Sequence, residues 1–87
     1  MIRTTDNFFN KLATEIRATY FPNENHGFTE NKNYWKATYT MECFSSGVLT
    51  YPNFIEQLSK SCKDTGKNIH KIVEKYIVSF GNYKYKD

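Results

Sequence analysis

Apolar side chains fall at Phe8, Phe9, Leu12, Ala13, Ile16 and Tyr20, the three- and four-residue spacing that lays a stripe along one side of an α-helix. Thr5 or Asp6 supplies the short side-chain oxygen that caps a first helical turn. Pro22, which has no N–H to donate, ends the helix. The segment from Phe21 to Asn33, FPNENHGFTENKN, is polar, Asn-rich and broken by Pro and Gly, and is expected to form a flexible surface loop.

From Tyr34 to Phe44 the period changes to two. Trp35, Ala37, Tyr39, Met41 and Cys43 alternate with Lys36, Thr38, Thr40 and Glu42, which predicts a half-buried β-strand with its Trp35 face inward. Ser45-Ser46-Gly47 then turns the chain, and Val48 to Tyr51 returns as a second strand. A lone hairpin is marginal in water, so helices must cover the Trp35 face or a partner chain must add strands. Pro52, and Asn53 with a carboxylate three residues on at Glu56, open a C-terminal helix. Its apolar positions, Ile55, Leu58, Cys62, Ile69, Ile72, Val73, Tyr76 and Phe80, share one face at about 100° per residue.

Gly66 leaves two readings open. The apolar phase runs through it, which favours one long helix, whereas Gly is the residue preferred just past a helix end and Asn68 would cap a new one. The expected fold class is therefore α+β: an N-terminal helix, an antiparallel β-hairpin, and a long or Gly66-broken C-terminal helix packed on one sheet face. Residues 1–87 form a single small domain with a tail over 81–87.

Composition adds seven Phe, seven Tyr and one Trp, 17% of the 87 residues, to a chain whose mean hydropathy is −0.70. Large rings fill small cores economically, but rings beyond what the core hides favour an interface. Phe28, Tyr34, Phe44 and Tyr51 around the loop and hairpin, with Tyr83 and Tyr85 in the tail, are the candidates for a partner-binding surface. The start, MIRTTDNFF, lacks the features of a secretory signal, and no apolar run approaches the roughly 20 residues of a membrane span, which points to the cytoplasm and away from membranes. Two cysteines, Cys43 and Cys62, are too few for a disulfide framework and lack zinc-ligand spacing. They read as buried free thiols, with a Cys43–Cys62 bridge as the alternative; no metal or cofactor is implied.

Charge is uneven along the chain. Residues 59–87 hold seven Lys against three acids, net +4, leaving −1 of the total +3 for residues 1–58. Lys60, Lys63, Lys67, Lys71 and Lys75 recur at three- and four-residue steps, opposite the apolar face if the helix continues. Such a face is ordinarily just solvated. It is also what contact with a phosphate backbone requires, because each neutralised phosphate releases counterions. Without an Arg in the stripe there is no bidentate reader of guanine, so sequence readout would be weak.

Catalytic signatures are thin. Asp64-Thr65-Gly66 spells the aspartic-protease triplet in surroundings too polar for two carboxylates to share a proton. Gly66-Lys67 resembles a phosphate-binding loop, but Ser61 stands where the first glycine belongs and Asn68 where the magnesium-binding hydroxyl belongs. His26 lies in the polar loop and His70 beside the basic stripe, with no nucleophile at readable spacing. The chain reads as non-catalytic.

FIEQLSKSCKDTGKNIHKIVEKYI, Phe54 to Ile77, resembles the two helices of ribbon-helix-helix DNA-binding proteins: Phe54 and Ile55, Leu58 and Cys62, the turn Thr65-Gly66-Lys67-Asn68, then Ile72, Val73, Tyr76 and Ile77. The resemblance implies DNA binding and a helix broken at Gly66. In that family a basic or polar strand ahead of the first helix enters the major groove; here VLTYP holds the place and carries no basic residue.

Two binding functions follow. One is a small nucleic-acid-binding regulator using Lys60, Lys63, Lys67, Lys71 and Lys75, with Lys36 on the exposed strand face. The other is a compact protein-protein inhibitor or adaptor of the kind phages and mobile elements encode, acting through the exposed aromatics and the hairpin edge. A homodimer is a third form of assembly.

Overall fold

The computed structural model describes residues 2–24 and 29–80. What was expected of the loop tip, including His26 and Phe28, and of the tail with Tyr83 and Tyr85, lies outside the described residues. The first helix, α1, spans Phe8–Tyr20 and buries Phe8, Leu12, Ala13 and Ile16, the stripe predicted from spacing. Its cap is Asn7 rather than Thr5 or Asp6, held at φ 57°, a left-handed conformation that Asn tolerates better than most residues. Phe21 follows, buried, and Pro22 comes just after the end.

The β-hairpin expected over Tyr34 to Tyr51 does not form. Lys32–Ser45 is a helix, α2, and Tyr51–Cys62 is the next, α3. The fold is mainly helical rather than α+β with a central hairpin. Three physical facts explain the difference. First, Tyr34, Ala37 and Met41 fit a helical stripe, and these are the buried side chains of α2. Trp35 and Tyr39, assigned inward by the alternation, stay 43% and 68% exposed. Second, the threonines that suggested a strand are satisfied inside the helix: Thr38 and Thr40 hydroxyls donate to the carbonyls of Tyr34 and Lys36 at 2.9 and 2.8 Å. Third, Ser45-Ser46-Gly47 is a helix stop, not a hairpin turn. With Gly47 at φ 83°, the Val48 and Gly47 amides donate back to the Cys43 and Phe44 carbonyls at 2.8 and 3.1 Å, the paired bonds that close a helix on a left-handed residue.

The loop expected before α2 is anchored at both described sides. The Glu24 carboxylate accepts from the Thr29 hydroxyl and from Asn31 Nδ2 at 3.1 Å, and Asn31 Oδ1 caps α2 by accepting from the Asn33 amide at 2.9 Å. In α3, Thr50 takes the cap position and Pro52 sits in the first turn, where a missing N–H costs no bond. The helix thus starts before Asn53, which was expected to cap it.

The C-terminal segment is two helices, α3 and α4 (Gly66–Val73). The break falls at Lys63, not Gly66. Lys63 adopts φ 56°, ψ 45°, and the Asp64 and Lys63 amides close α3 onto the Ser59 and Lys60 carbonyls. Thr65 then caps α4, its Oγ1 accepting from the Asn68 amide at 3.1 Å. A short 3-10 turn, Glu74–Tyr76, leads into a strand, β2 (Ile77–Ser79), which pairs antiparallel with β1 (Arg3–Thr4). The only sheet among the described residues therefore ties the first described element to the last.

The core lies between these layers, with α2 on α3 as the most extensive pair. Phe44 stacks on Phe54 at 4.2 Å and 8°, and Phe8 and Tyr51 tilt against Phe44 at 5.9 and 5.7 Å. The radius of gyration, 12.3 Å, matches the roughly 12 Å of a folded chain of this length. Among the described residues no helix is long and apolar enough to cross a membrane.

Candidate nucleic-acid interface

The α3–α4 junction gathers the basic residues, but not as one unbroken face. Lys60 and Lys75 are engaged by the protein's own carboxylates, Lys60 with Glu56 at 3.2 Å and Lys75 with Glu15 at 2.7 Å. Lys63, Lys67 and Lys71 are exposed and make no ion pair among the described residues. Lys63 projects from the turn, and Lys67 and Lys71 lie one helical turn apart on α4. Lys36 is exposed on α2, not on a strand.

Asp64 is the acid within this patch, and its oxygens are occupied. It accepts from the Tyr20 hydroxyl at 2.5 Å, the Thr65 amide at 2.7 Å and Asn68 Nδ2 at 2.9 Å. Those bonds, Tyr20 first, hold its carboxyl below the ordinary range, so it stays charged and partly offsets Lys63. These bonds fix the turn between α3 and α4. Glu15 is likewise held low, first by Lys75 and then by the Tyr76 hydroxyl. That clasp removes Lys75 from the free set and locks the C-terminal turn onto α1.

Two shallow clefts flank α3. One, of about 280 Å³, lies between α2 and α3 and is lined by Lys36, Tyr39, Thr40, Gln57, Lys60 and Ser61. The other, about 610 Å³, runs along α3 to the junction and includes Glu56, Ser59, Lys60, Lys63, Asp64 and Gly66. Lys60 lines both. Its ion pair with Glu56 is solvent-exposed on both sides, the kind of pair worth well under about 1 kcal/mol and readily exchanged for another anion.

Of the aromatic residues first considered as a partner surface, the three that are described lie largely inside. Tyr34 and Tyr51 are 1% and 2% exposed, and Phe44 is half-buried in its stack with Phe54. Exposure falls instead on Trp35 and Tyr39. A helical reading of residues 32–45 would have found them, because Lys32, Trp35, Lys36 and Tyr39 fall on one side and Tyr34, Ala37 and Met41 on the other.

One arrangement has the look of a catalytic relay. Tyr51 Oη lies 2.7 Å from His70 Nδ1, and His70 Nε2 lies 3.4 Å from a Glu74 oxygen. The Tyr51 ring is 2% exposed and packs against Phe44, Phe54 and Phe80, and the chain of contacts seats α4 on α3. Cys43 and Cys62 are both free, not bridged; burial, then Asp64, pushes the Cys62 thiol up to about 12, which makes it a poor nucleophile. Among the described residues no three His, Cys, Asp or Glu side chains gather into a metal-binding group.

Of what the ribbon-helix-helix resemblance implied, the helix break exists three residues before Gly66, and Val48 to Thr50, ahead of α3, is not a strand in this chain. No protein-family model, no curated protein and no solved structure matches this chain.

Proposed function

We propose that this protein is a non-catalytic nucleic-acid-binding protein whose contact surface is the α3–α4 junction, with Lys63, Lys67 and Lys71 facing phosphates. The observation that carries this is the set of three exposed lysines that make no ion pair among the described residues while two neighbours, Lys60 and Lys75, are engaged. The backbone of Lys63 adds support. A lysine stands in a left-handed position where glycine is the usual occupant, and residues kept against a local backbone preference concentrate at functional sites. The stretch resembling ribbon-helix-helix proteins is the one that bears these lysines.

The test is binding to nucleic acid across a salt series. Wild type is retained at low salt, with an affinity that falls linearly in log salt at roughly 0.7–0.9 per phosphate contacted. Replacing Lys63, Lys67 and Lys71 together by Glu abolishes retention without loss of helical circular dichroism. Retention of the triple variant at wild-type strength would overturn the proposal.

A further inference from the structure

We propose that the outer face of α2 is a stacking platform for single-stranded nucleic acid, in which Trp35 and Tyr39 receive bases while Lys32, Lys36 and Lys60 hold the backbone. This rests on the nucleic-acid reading of the α3–α4 junction and adds the strand state and a second, aromatic contact region.

Four observations converge. Lys32, Trp35, Lys36 and Tyr39 occupy one side of α2 at steps of three, one and three residues, and all four are exposed. Exposed rings interleaved with lysines are the combination that single-strand binders use, rings for base faces and ammonium groups for phosphates. The indole is also pre-oriented: Trp35 Nε1–H donates to the Thr29 carbonyl at 2.9 Å, and its ring meets Tyr34 edge-on at 4.9 Å. A ring fixed in this way loses little freedom when a base covers it.

Spacing then selects the strand state. Residues four apart on a helix are separated by about 6 Å along its axis, whereas stacked nucleotides in a duplex rise about 3.4 Å per step. Two rings carried on positions at that wider interval suit bases pulled out of a stack, which a single strand supplies and a duplex does not. Finally, the platform is continuous with the junction lysines. Tyr39, Lys36 and Lys60 line the cleft between α2 and α3, and Lys60 also lines the second cleft, together with Lys63. Tyr39 is hydrogen-bonded with the Cys43 side chain and also lies within electrostatic reach of Glu42, the acid on this stretch of α2.

Trp35 is the one tryptophan of the chain, so its emission reports the platform directly. The experiment titrates the full chain with oligothymidylate and, separately, with a blunt duplex of equal length. Expected are quenching of Trp35 emission by the single strand, tighter binding of single strand than duplex, and a loss of about fivefold or more in single-strand affinity for Tyr39→Ala. Trp35→Ala, read by fluorescence anisotropy of labelled strand, should match it. Tyr39→Phe keeps the ring and should restore binding. Equal affinity for both polymers, with unchanged Trp35 emission and no effect of Tyr39→Ala, overturns the platform and leaves the junction reading intact. Failure to retain either polymer at low salt overturns both.

Discussion

Replacing Lys63 by Gly separates what this residue does for the fold from what it does for a ligand. The side chain sits at φ 56°, ψ 45°, where α3 closes, and a left-handed conformation costs an L-residue about 1 kcal/mol or slightly more. Glycine escapes that cost, but its extra freedom in the unfolded chain takes back about 0.5 kcal/mol. The expected net change for Lys63→Gly is a gain of about 0.5–1 kcal/mol. With a urea dependence near 1 kcal/mol per M for a domain this small, the unfolding midpoint rises by about 0.5–1 M at unchanged slope. Lys63→Ala keeps the strain and gains nothing. Both variants remove one phosphate contact, so the slope of log affinity against log salt falls by about 0.7–0.9 in each. A lower midpoint for Lys63→Gly would refute the backbone reasoning, and an unchanged salt slope in both variants would remove Lys63 from the interface.

Two further outcomes are expected. Tyr34→Ala removes a buried ring that packs on Phe21 and under Arg17 and lowers stability by about 3–5 kcal/mol in urea unfolding, whereas Trp35→Ala costs about 1 kcal/mol; the reverse ranking would restore the strand in place of α2. Tyr20→Phe removes the first of the bonds that hold Asp64 low, so thermal melts should show wild type more stable than the variant at neutral pH. That advantage should be complete above the ordinary aspartate value of 3.8 and vanish as pH falls through the lower folded value; a difference that grows toward acid would contradict the assignment.

The sequence makes α1 and the apolar face of α3 and α4 legible because Leu12, Ile16, Leu58, Ile69 and Val73 are aliphatic, carry no polar atoms, and fall at one period only. Residues 34–44 are different. Trp35 and Tyr39 count as apolar when aromatic rings are grouped with aliphatic side chains, yet each has a polar end that lets it remain at the surface. With those two rings counted inward, the alternation looks complete; with them outward, Tyr34, Ala37 and Met41 give a helix. Thr38 and Thr40 tipped the balance further, since β-branching favours strands unless the hydroxyl finds a carbonyl one turn back, which both do. The lysines of the candidate site were visible as a spacing, but not which of them were free. That depends on Glu15, brought to Lys75 by tertiary packing across most of the chain, and on the left-handed turn at Lys63, which no residue-type preference signals.

Pairing of β1 with β2, with the Thr5 amide on the Tyr76 carbonyl at 3.0 Å, has a consequence for how the protein is made. Arg3 leaves the ribosome long before Ile77 is synthesised, so the first strand must wait unpaired while the helices behind it take shape. The pairing joins segments far apart in sequence, the kind of non-local contact that is slow to find by diffusion.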